Sequence, residues 1–151
     1  MDIRRNKISE DDILLKMMDL SAKGYNCSQI MMGIALSQIE QENADLLRSM
    51  AGLGNGCGFF NETCGILTSA ASILSLYAGK GDDNEKESDK LLPMLQDLGD
   101  WFQNETMEKG GTKCKDIVGD SVGTPEGQGI CGDILFKTYK KTDSILMAYD
   151  F

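Results

Sequence analysis

The stretch Ala51-Gly-Leu-Gly-Asn-Gly-Cys57-Gly-Phe-Phe-Asn-Glu-Thr-Cys64-Gly65 decides the fold, because glycine occupies every second position from 52 to 58. Glycine at that density lets the backbone take left-handed conformations and lets other groups approach closely. From Cys64 to Ala78 the pattern becomes helical, with apolar residues over most of the circumference. A helix of this kind is usually buried in the middle of its domain. We therefore predict a glycine-rich loop that delivers Cys64 to the start of a central helix.

Length and composition predict one cysteine-rich domain over residues 1–151. A chain of 151 residues with 41% hydrophobic residues suffices for one compact core. Nine methionines and many leucines and isoleucines favour a helical core with adaptable packing. No segment has a convincing strand pattern. The predicted fold is an all-α, single compact bundle of five to six helices, with a buried central helix starting near Cys64.

Helical spacing and capping residues predict the helices that precede the glycine-rich loop. The first begins at Ser9 with an acidic first turn and ends at Gly24. A second follows Asn26 and has Cys27 among its first residues, and a short third helix runs to Met50. The apolar face predicted for the first helix consists of Ile13, Leu14, Met17, Met18 and Ala22.

The second half of the chain predicts a long helix, a short turn and a final helix. The long helix runs from about Glu85 to Lys109, and Pro93 either kinks it or marks its true start. Its leucine stripe and the Trp101-Phe102 pair favour core packing or the seam of a homodimer. A turn carrying Cys114 follows, then an irregular loop from 119 to 129, and Cys131 begins the last helix.

The charge and the amino terminus exclude several classes of protein. A net charge of −9 argues against nucleic-acid binding, which needs a basic surface, and against anionic membranes. The polar amino terminus does not resemble a signal peptide. The longest apolar segment, Gly65 to Ala78, is too short and too polar to span a bilayer. We expect a soluble cytoplasmic protein without membrane insertion.

The absence of histidine narrows the chemistry further. No Ser-His or Cys-His nucleophile pair and no histidine-ligated zinc site can form. Any metal must be held by thiolates, carboxylates or carbonyls. In a reducing cytosol, five cysteines favour metal ligands or redox thiols over a structural disulfide frame.

Four of the five cysteines share one predicted setting, the start of a helix: Cys27, Cys64, Cys114 and Cys131. Helix amino termini present unpaired N–H groups and a positive dipole end, which stabilise a thiolate and lower the pKa of its thiol. The thiolate is both the nucleophile and the metal ligand. Cys57 lies inside the glycine-rich loop, and we interpret it as a small apolar residue.

These cysteines and their neighbours resemble a family of redox-active bacterial and archaeal proteins named for the cysteine pattern C–GCAxxG–C–C. The matching pieces are Gly-Tyr-Asn-Cys27-Ser-Gln, the glycine-rich loop leading into Glu-Thr-Cys64-Gly65, Lys-Cys114-Lys-Asp, and Cys131 after a Gly/Pro-rich loop. After the central cysteine the family has Cys-Gly-Ala-x-x-Gly, whereas this chain has Ile66 and Ser69 at the Ala and last Gly positions. The resemblance implies redox activity carried by the four cysteines.

Three functions are consistent with these four cysteines. In the first, Cys27, Cys64, Cys114 and Cys131 ligate an iron–sulfur cluster, or zinc, in an oxidoreductase or electron-transfer protein with its own redox partner. In the second, they form reversible disulfides in a redox carrier or sensor, with Cys27–Cys64 and Cys114–Cys131 as the first pairs to test. In the third, a dimeric helical structural or interaction protein carries incidental cysteines. The first is favoured slightly, although the sequence has no Cys-x-x-Cys pair.

Overall fold

Seven α-helices occupy residues 3–151, the range of the chain that the computed structural model describes. They are α1 (Glu10–Ala22), α2 (Cys27–Gln38), α3 (Ala44–Ser49), α4 (Gly65–Ala78), α5 (Leu91–Thr106), α6 (Cys114–Val118) and α7 (Pro125–Ala148). The described residues contain no strand, so the predicted all-α fold is confirmed. The count exceeds the predicted five to six because Cys114–Val118, predicted as one short turn, is a five-residue helix, α6.

The helix that follows the glycine-rich loop is central, as predicted. No residue of α4 is exposed, and α4 packs against α2, α5 and α7. Ile66, Ala70 and Leu74 are at most 1% exposed. The second helix, α2, is equally important to the core, since nine of its twelve residues are buried. The domain is therefore built around two buried helices rather than one.

The first helix forms where the capping residues indicate, but its predicted apolar face is wrong. Ser9 caps α1 through a bond from the Asp12 backbone N–H at 3.1 Å. Only Ile13 and Leu20 are buried on this helix. Leu14 and Met18, two members of the predicted face, are exposed because α1 lies at the surface and meets its neighbours along one narrow edge.

The long helix α5 begins at Leu91, six residues after the predicted start near Glu85. Pro93 is its third residue, so the missing N–H lies in the first turn, where no intrahelical acceptor is available. The alternative in which Pro93 marks the helix start is thus the correct one. Phe102 is fully buried and Trp101 partly buried, so this pair contributes to the core.

The last helix, α7, begins at Pro125, and the predicted start at Cys131 is wrong. Thr124 caps it by accepting the Gly127 N–H at 3.1 Å, and Pro125 is favoured at the first helical position. Four glycines in this stretch obscured the signal, because glycine is typical of loops. Although α7 has 24 residues, no helix among residues 3–151 is long and apolar enough to cross a membrane.

A half-buried ion pair joins the two ends of the described chain. Arg5 bonds the carboxylate of Asp143 on α7, and Gln38 donates to the same carboxylate at 2.9 Å. The Tyr139 hydroxyl donates to Gln38 at 2.7 Å, and Arg5 also donates to the Phe151 carbonyl at 3.0 Å. These bonds offset the cost of partial burial, whereas Nε of Arg5 is buried without a hydrogen-bond partner among residues 3–151.

Candidate four-cysteine site

Four cysteines line one pocket of about 490 Å³: Cys27, Cys64, Cys114 and Cys131. They come from α2, the start of α4, α6 and α7, so four separate segments meet there. The other walls are mainly apolar, and no charged side chain lines the pocket. Cys57 is exposed and is not part of the lining. The structure thus gathers the four cysteines selected from the sequence and leaves out the fifth.

Three of the four cysteines stand at helix starts, as predicted. Cys27 is the first residue of α2, Cys114 is the first residue of α6, and Cys64 is the N-cap of α4. Each cysteine is therefore close to backbone N–H groups that have no acceptor within their own helix.

Burial raises the pKa of Cys27 and Cys64, and nearby backbone N–H groups act in the opposite direction. The N–H of Asn55, in the glycine-rich loop, acts on Cys27. The N–H groups of Ile66 and Leu67, in the first turn of α4, act on Cys64, which makes no side-chain capping bond. Nearby N–H groups favour negative charge on sulfur, whether it is a free thiolate or a metal ligand.

Cys131 reaches the pocket in a different way from the other three cysteines. It lies in the second turn of α7, one helical turn beyond Gly127, and Leu135 follows one turn later. All three residues line the pocket and share one face of the helix. The prediction that Cys131 starts a helix is wrong. Cys131 nevertheless faces the cavity, because it lies four residues from Gly127 and four from Leu135 on the same face of α7.

A short antiparallel bridge between Thr63 and Lys113 joins the segments that carry Cys64 and Cys114. The Cys64 N–H donates to the Thr112 carbonyl at 2.9 Å, and the Cys114 N–H donates to the Glu62 carbonyl at 3.0 Å. These reciprocal bonds pair the segments that lead into α4 and α6. A strand pattern in the sequence needs several alternating residues, so a bridge of this size leaves no recognisable signal.

The glycine-rich loop forms a left-handed turn against the pocket. Residues 55–58 all have positive φ angles, between 55° and 86°. At Gly56, a Cβ atom would lie 2.8 Å from the Cys114 Cβ and 2.9 Å from the Glu62 carbonyl oxygen. Only glycine therefore allows the loop backbone to pass this close to Cys114, as the sequence predicted in general terms.

The start of α4 needs a small residue and tolerates the departures from the family motif. A Cβ on Gly65 would lie 2.4 Å from the Leu53 carbonyl oxygen, so the loop touches the helix there. Ile66 occupies the Ala position, is buried, and lines the pocket. Ser69 occupies the last Gly position, where its buried hydroxyl donates to the Gly65 carbonyl at 2.6 Å. Neither substitution leaves an unpaired polar group or closes the cavity.

Burial dominates the acidity of the four thiols. It raises the pKa of Cys64 to about 12 and that of Cys131 to about 11, and it raises the pKa of Cys27 and of Cys114 as well. The expected lowering of thiol pKa at helix starts is therefore wrong, because desolvation outweighs the nearby N–H groups. Without a bound cation, all four are protonated at neutral pH, and protonated thiols are poor nucleophiles.

The thiols also influence one another through space. Cys27 and Cys114 both raise the pKa of Cys64 and of Cys131, and Cys27 raises that of Cys114. The two disulfide pairs proposed from the sequence, Cys27–Cys64 and Cys114–Cys131, are both among the pairs whose thiols influence each other's pKa. No disulfide is formed in the structure, since all five cysteines are free.

The spacing of the thiols is too wide for a single metal ion. Among residues 3–151, no group of three or more cysteine or carboxylate side chains is close enough together to hold one. A tetrahedral zinc site would therefore require the four thiols to move inward.

The fold and the site define an all-α protein with four thiols around one uncharged pocket. A family model described as "Putative redox-active protein (C_GCAxxG_C_C)" matches residues 25–145, a range that includes all four cysteines. The chain belongs to this family. Neither the comparison with curated proteins nor the comparison with solved structures found a match.

Proposed function

We propose that Cys27, Cys64, Cys114 and Cys131 ligate an iron–sulfur cluster through which the protein transfers electrons. The observation that carries the proposal is that cysteines from four separate segments line one pocket without a charged side chain. Iron–sulfur clusters are held by cysteine thiolates, commonly by four of them. A cluster supplies reversible one-electron transfer when it is bound.

The size of the pocket and the spacing of the thiols support a cluster rather than one ion. A cavity of about 490 Å³ is far larger than a metal ion, and the thiols surround it instead of converging on a point. Cys64 and Cys114 are buried and Cys27 and Cys131 are half-buried, and Ile66, Phe60 and Leu135 are among the apolar residues around them. Solvent exposure is one of the factors that set the potential of such a group.

In this proposal the thiols bind the cluster, and backbone N–H groups near them stabilise the charge of the bound sulfurs. The four thiols lose their protons when they become ligands, so loading of the site depends on pH. The N–H groups of Asn55 and Ile66 lie near the Cys27 and Cys64 sulfurs and would offset the negative charge of these ligands.

A thiol–disulfide carrier is the second candidate, favoured by the mutual proximity of the thiols. Cys27 lies near Cys64, and Cys114 lies near Cys131. Oxidation of either pair by an external disulfide would form one S–S bond in the protein and release two thiols from the oxidant, with both protons accounted for. The high thiol pKa values make this exchange slow at neutral pH.

Anaerobic purification with iron and sulfide analysis tests the proposal. We expect a brown protein with visible absorption, and with iron and acid-labile sulfide bound to the full chain. Cys64→Ser and Cys114→Ser should each lower bound iron at least about tenfold, since the removal of outer partners alone costs 10–100-fold in metal affinity.

Cys57→Ser is the matched control, because it makes the same chemical change at an exposed position outside the pocket. It should keep full iron loading. A wild-type protein that stays colourless after reconstitution with ferrous iron and sulfide contradicts the cluster. If that protein loses two or four thiols reversibly on oxidation, the second candidate is correct.

A further inference from the structure

The four-cysteine pocket extends beyond its buried thiols towards the surface. Cys64 and Cys114 lie at its inner end with Ile66, and all three are buried. At its other end the pocket is lined by α1 and by the segment that leads into α7, where Ser21 and Gln128 are exposed. The pocket therefore has an inner part beside the buried thiols and an outer part that reaches the surface between α1 and α7.

The chain leaves space open in this outer part, which is defined by six lining residues: Met17, Tyr25, Val122, Gly24, Gly123 and Gly132. The first three are apolar and half-buried. At each of the three glycines, an added Cβ atom would meet none of residues 3–151 within 4 Å apart from its own chain neighbours. A cavity of about 490 Å³ with mainly apolar walls has the size and lining of a small-molecule site.

The lining of the pocket selects against charged molecules. None of the described residues that line it is Asp, Glu, Lys or Arg, although these four types make up 26% of the chain. A charged molecule would lose its water there without gaining a counterion, which is costly. An anion would also be repelled by thiolate ligands. The side chains of Tyr25 and Gln128 can hydrogen-bond a neutral carbonyl or hydroxyl group.

We propose that the outer part of the pocket binds a small, uncharged, mainly apolar molecule, and that this is the substrate class of the four-cysteine site. Such a molecule would lie next to half-buried thiols, because Gly132 directly follows Cys131 and Tyr25 is two residues before Cys27. Its role as a substrate rests on the proposed function. Its binding does not, since the outer part is formed by residues other than the thiols.

Fluorescence titration of the metal-free, reduced full chain with N-phenyl-1-naphthylamine, an uncharged aromatic probe, tests the proposal. We expect saturable binding of about one probe per chain, with a rise in probe fluorescence. The analogue 8-anilino-1-naphthalenesulfonate has the same rings and a negative charge. It should bind at least about tenfold more weakly, because the sulfonate finds no partner in the pocket.

Gly132→Leu and Gly129→Leu locate the bound probe with the same change at two positions of α7. A Cβ atom is unobstructed at both positions, but Gly132 lines the pocket and Gly129 does not. Both variants should fold, since leucine favours a helix more than glycine does. Gly132→Leu should weaken probe binding at least about tenfold, because the leucine takes up space that the probe needs. Gly129→Leu should bind the probe as the wild type does.

Met17→Glu and Met18→Glu separate the pocket from the exposed surface of α1. Met17 lines the pocket, whereas Met18 is outside it and 70% exposed. Met17→Glu should weaken binding of the uncharged probe at least about tenfold, because it places a charge in an apolar wall. Met18→Glu should leave probe binding unchanged.

A wild type without saturable binding overturns the proposal, as does wild-type affinity in Gly132→Leu or in Met17→Glu. Equal affinity for the two probes overturns the uncharged ligand class. A protein that binds the uncharged probe but takes up no iron and sulfide contradicts the proposed function and leaves the binding site in place. A protein that takes up iron and sulfide but does not bind the probe contradicts this inference alone.

Discussion

At the scale of single residues, the site depends on glycines that permit close contacts. Gly56 lies against Cys114 and the Glu62 carbonyl, and Gly65 lies against the Leu53 carbonyl. The density of glycine in this loop predicted such approaches, but not which glycine meets which neighbour. Gly65 and Leu53 are 12 residues apart and Gly56 and Cys114 are 58 apart, so these contacts depend on tertiary distances that a local sequence pattern does not encode.

Gly56→Ala and Gly58→Ala form a matched pair that separates contact from backbone strain. Both residues have φ in the left-handed region, +58° and +86°, but an added Cβ meets nothing within 4 Å at Gly58. Gly58→Ala should therefore lower the free energy of unfolding by about 1 kcal/mol, the cost of a left-handed alanine. Gly56→Ala should cost about 2–4 kcal/mol, because backbone and Cys114 must also move.

Urea unfolding of the metal-free, reduced protein measures both values. We expect Gly56→Ala also to lower iron loading, since Cys114 is displaced, whereas Gly58→Ala should load normally. Equal stability losses in the two variants would show that the contact with Cys114 is unimportant.

At the scale of secondary-structure elements, capping residues connect helix starts to the pocket. The Asn26 side chain accepts the Gln29 N–H at 3.2 Å and donates to the Ala51 carbonyl at 2.9 Å. It therefore caps α2 beside Cys27 and also fixes the beginning of the glycine-rich loop. The cap was predictable from Asn26-Cys27, but the bond to Ala51 was not, since it joins residues 25 apart.

Asn26→Ala and Asn43→Ala test this second role with the same chemical change at two helix caps. Asn43 caps α3 by accepting the Leu46 N–H at 2.9 Å, and it does not line the pocket. Each variant should lose about 1 kcal/mol of stability, the usual value of an asparagine cap. Only Asn26→Ala should also lower iron loading, measured as iron bound per chain. If both variants load equally, Asn26 acts on helix stability alone.

At the scale of the whole molecule, the fold buries thiols that are better solvated when the chain is unfolded. The ordinary thiol pKa is 9.0, and in the folded protein Cys64 is raised to about 12 and Cys131 to about 11. The folded state therefore holds these protons more tightly than the unfolded chain. Their contribution to stability is complete below pH 9 and is lost as pH rises towards 11–12.

The metal-free, reduced protein should consequently become less stable between pH 9 and pH 11. Each thiol that ionises only in the unfolded chain contributes at most about 1.4 kcal/mol per pH unit to this decline. Urea unfolding at several pH values measures the slope, which Cys64→Ala should make shallower. Cys57→Ala, at an exposed position, should leave the slope unchanged. An unchanged slope in Cys64→Ala would contradict the buried, protonated state of that thiol.

The sequence by itself determined the all-α class, the central helix after Cys64, three of the four cysteine-bearing helix starts, and membership of a redox-active family. These properties follow from local signals: periodicity, caps and glycine density. Only the tertiary structure decided the start of α7, the exposed face of α1, the bridge beside Cys64, and the common pocket of four thiols. It also reversed the expected thiol acidity, because burial depends on how distant segments pack, whereas a helix start is set by its neighbours in the chain.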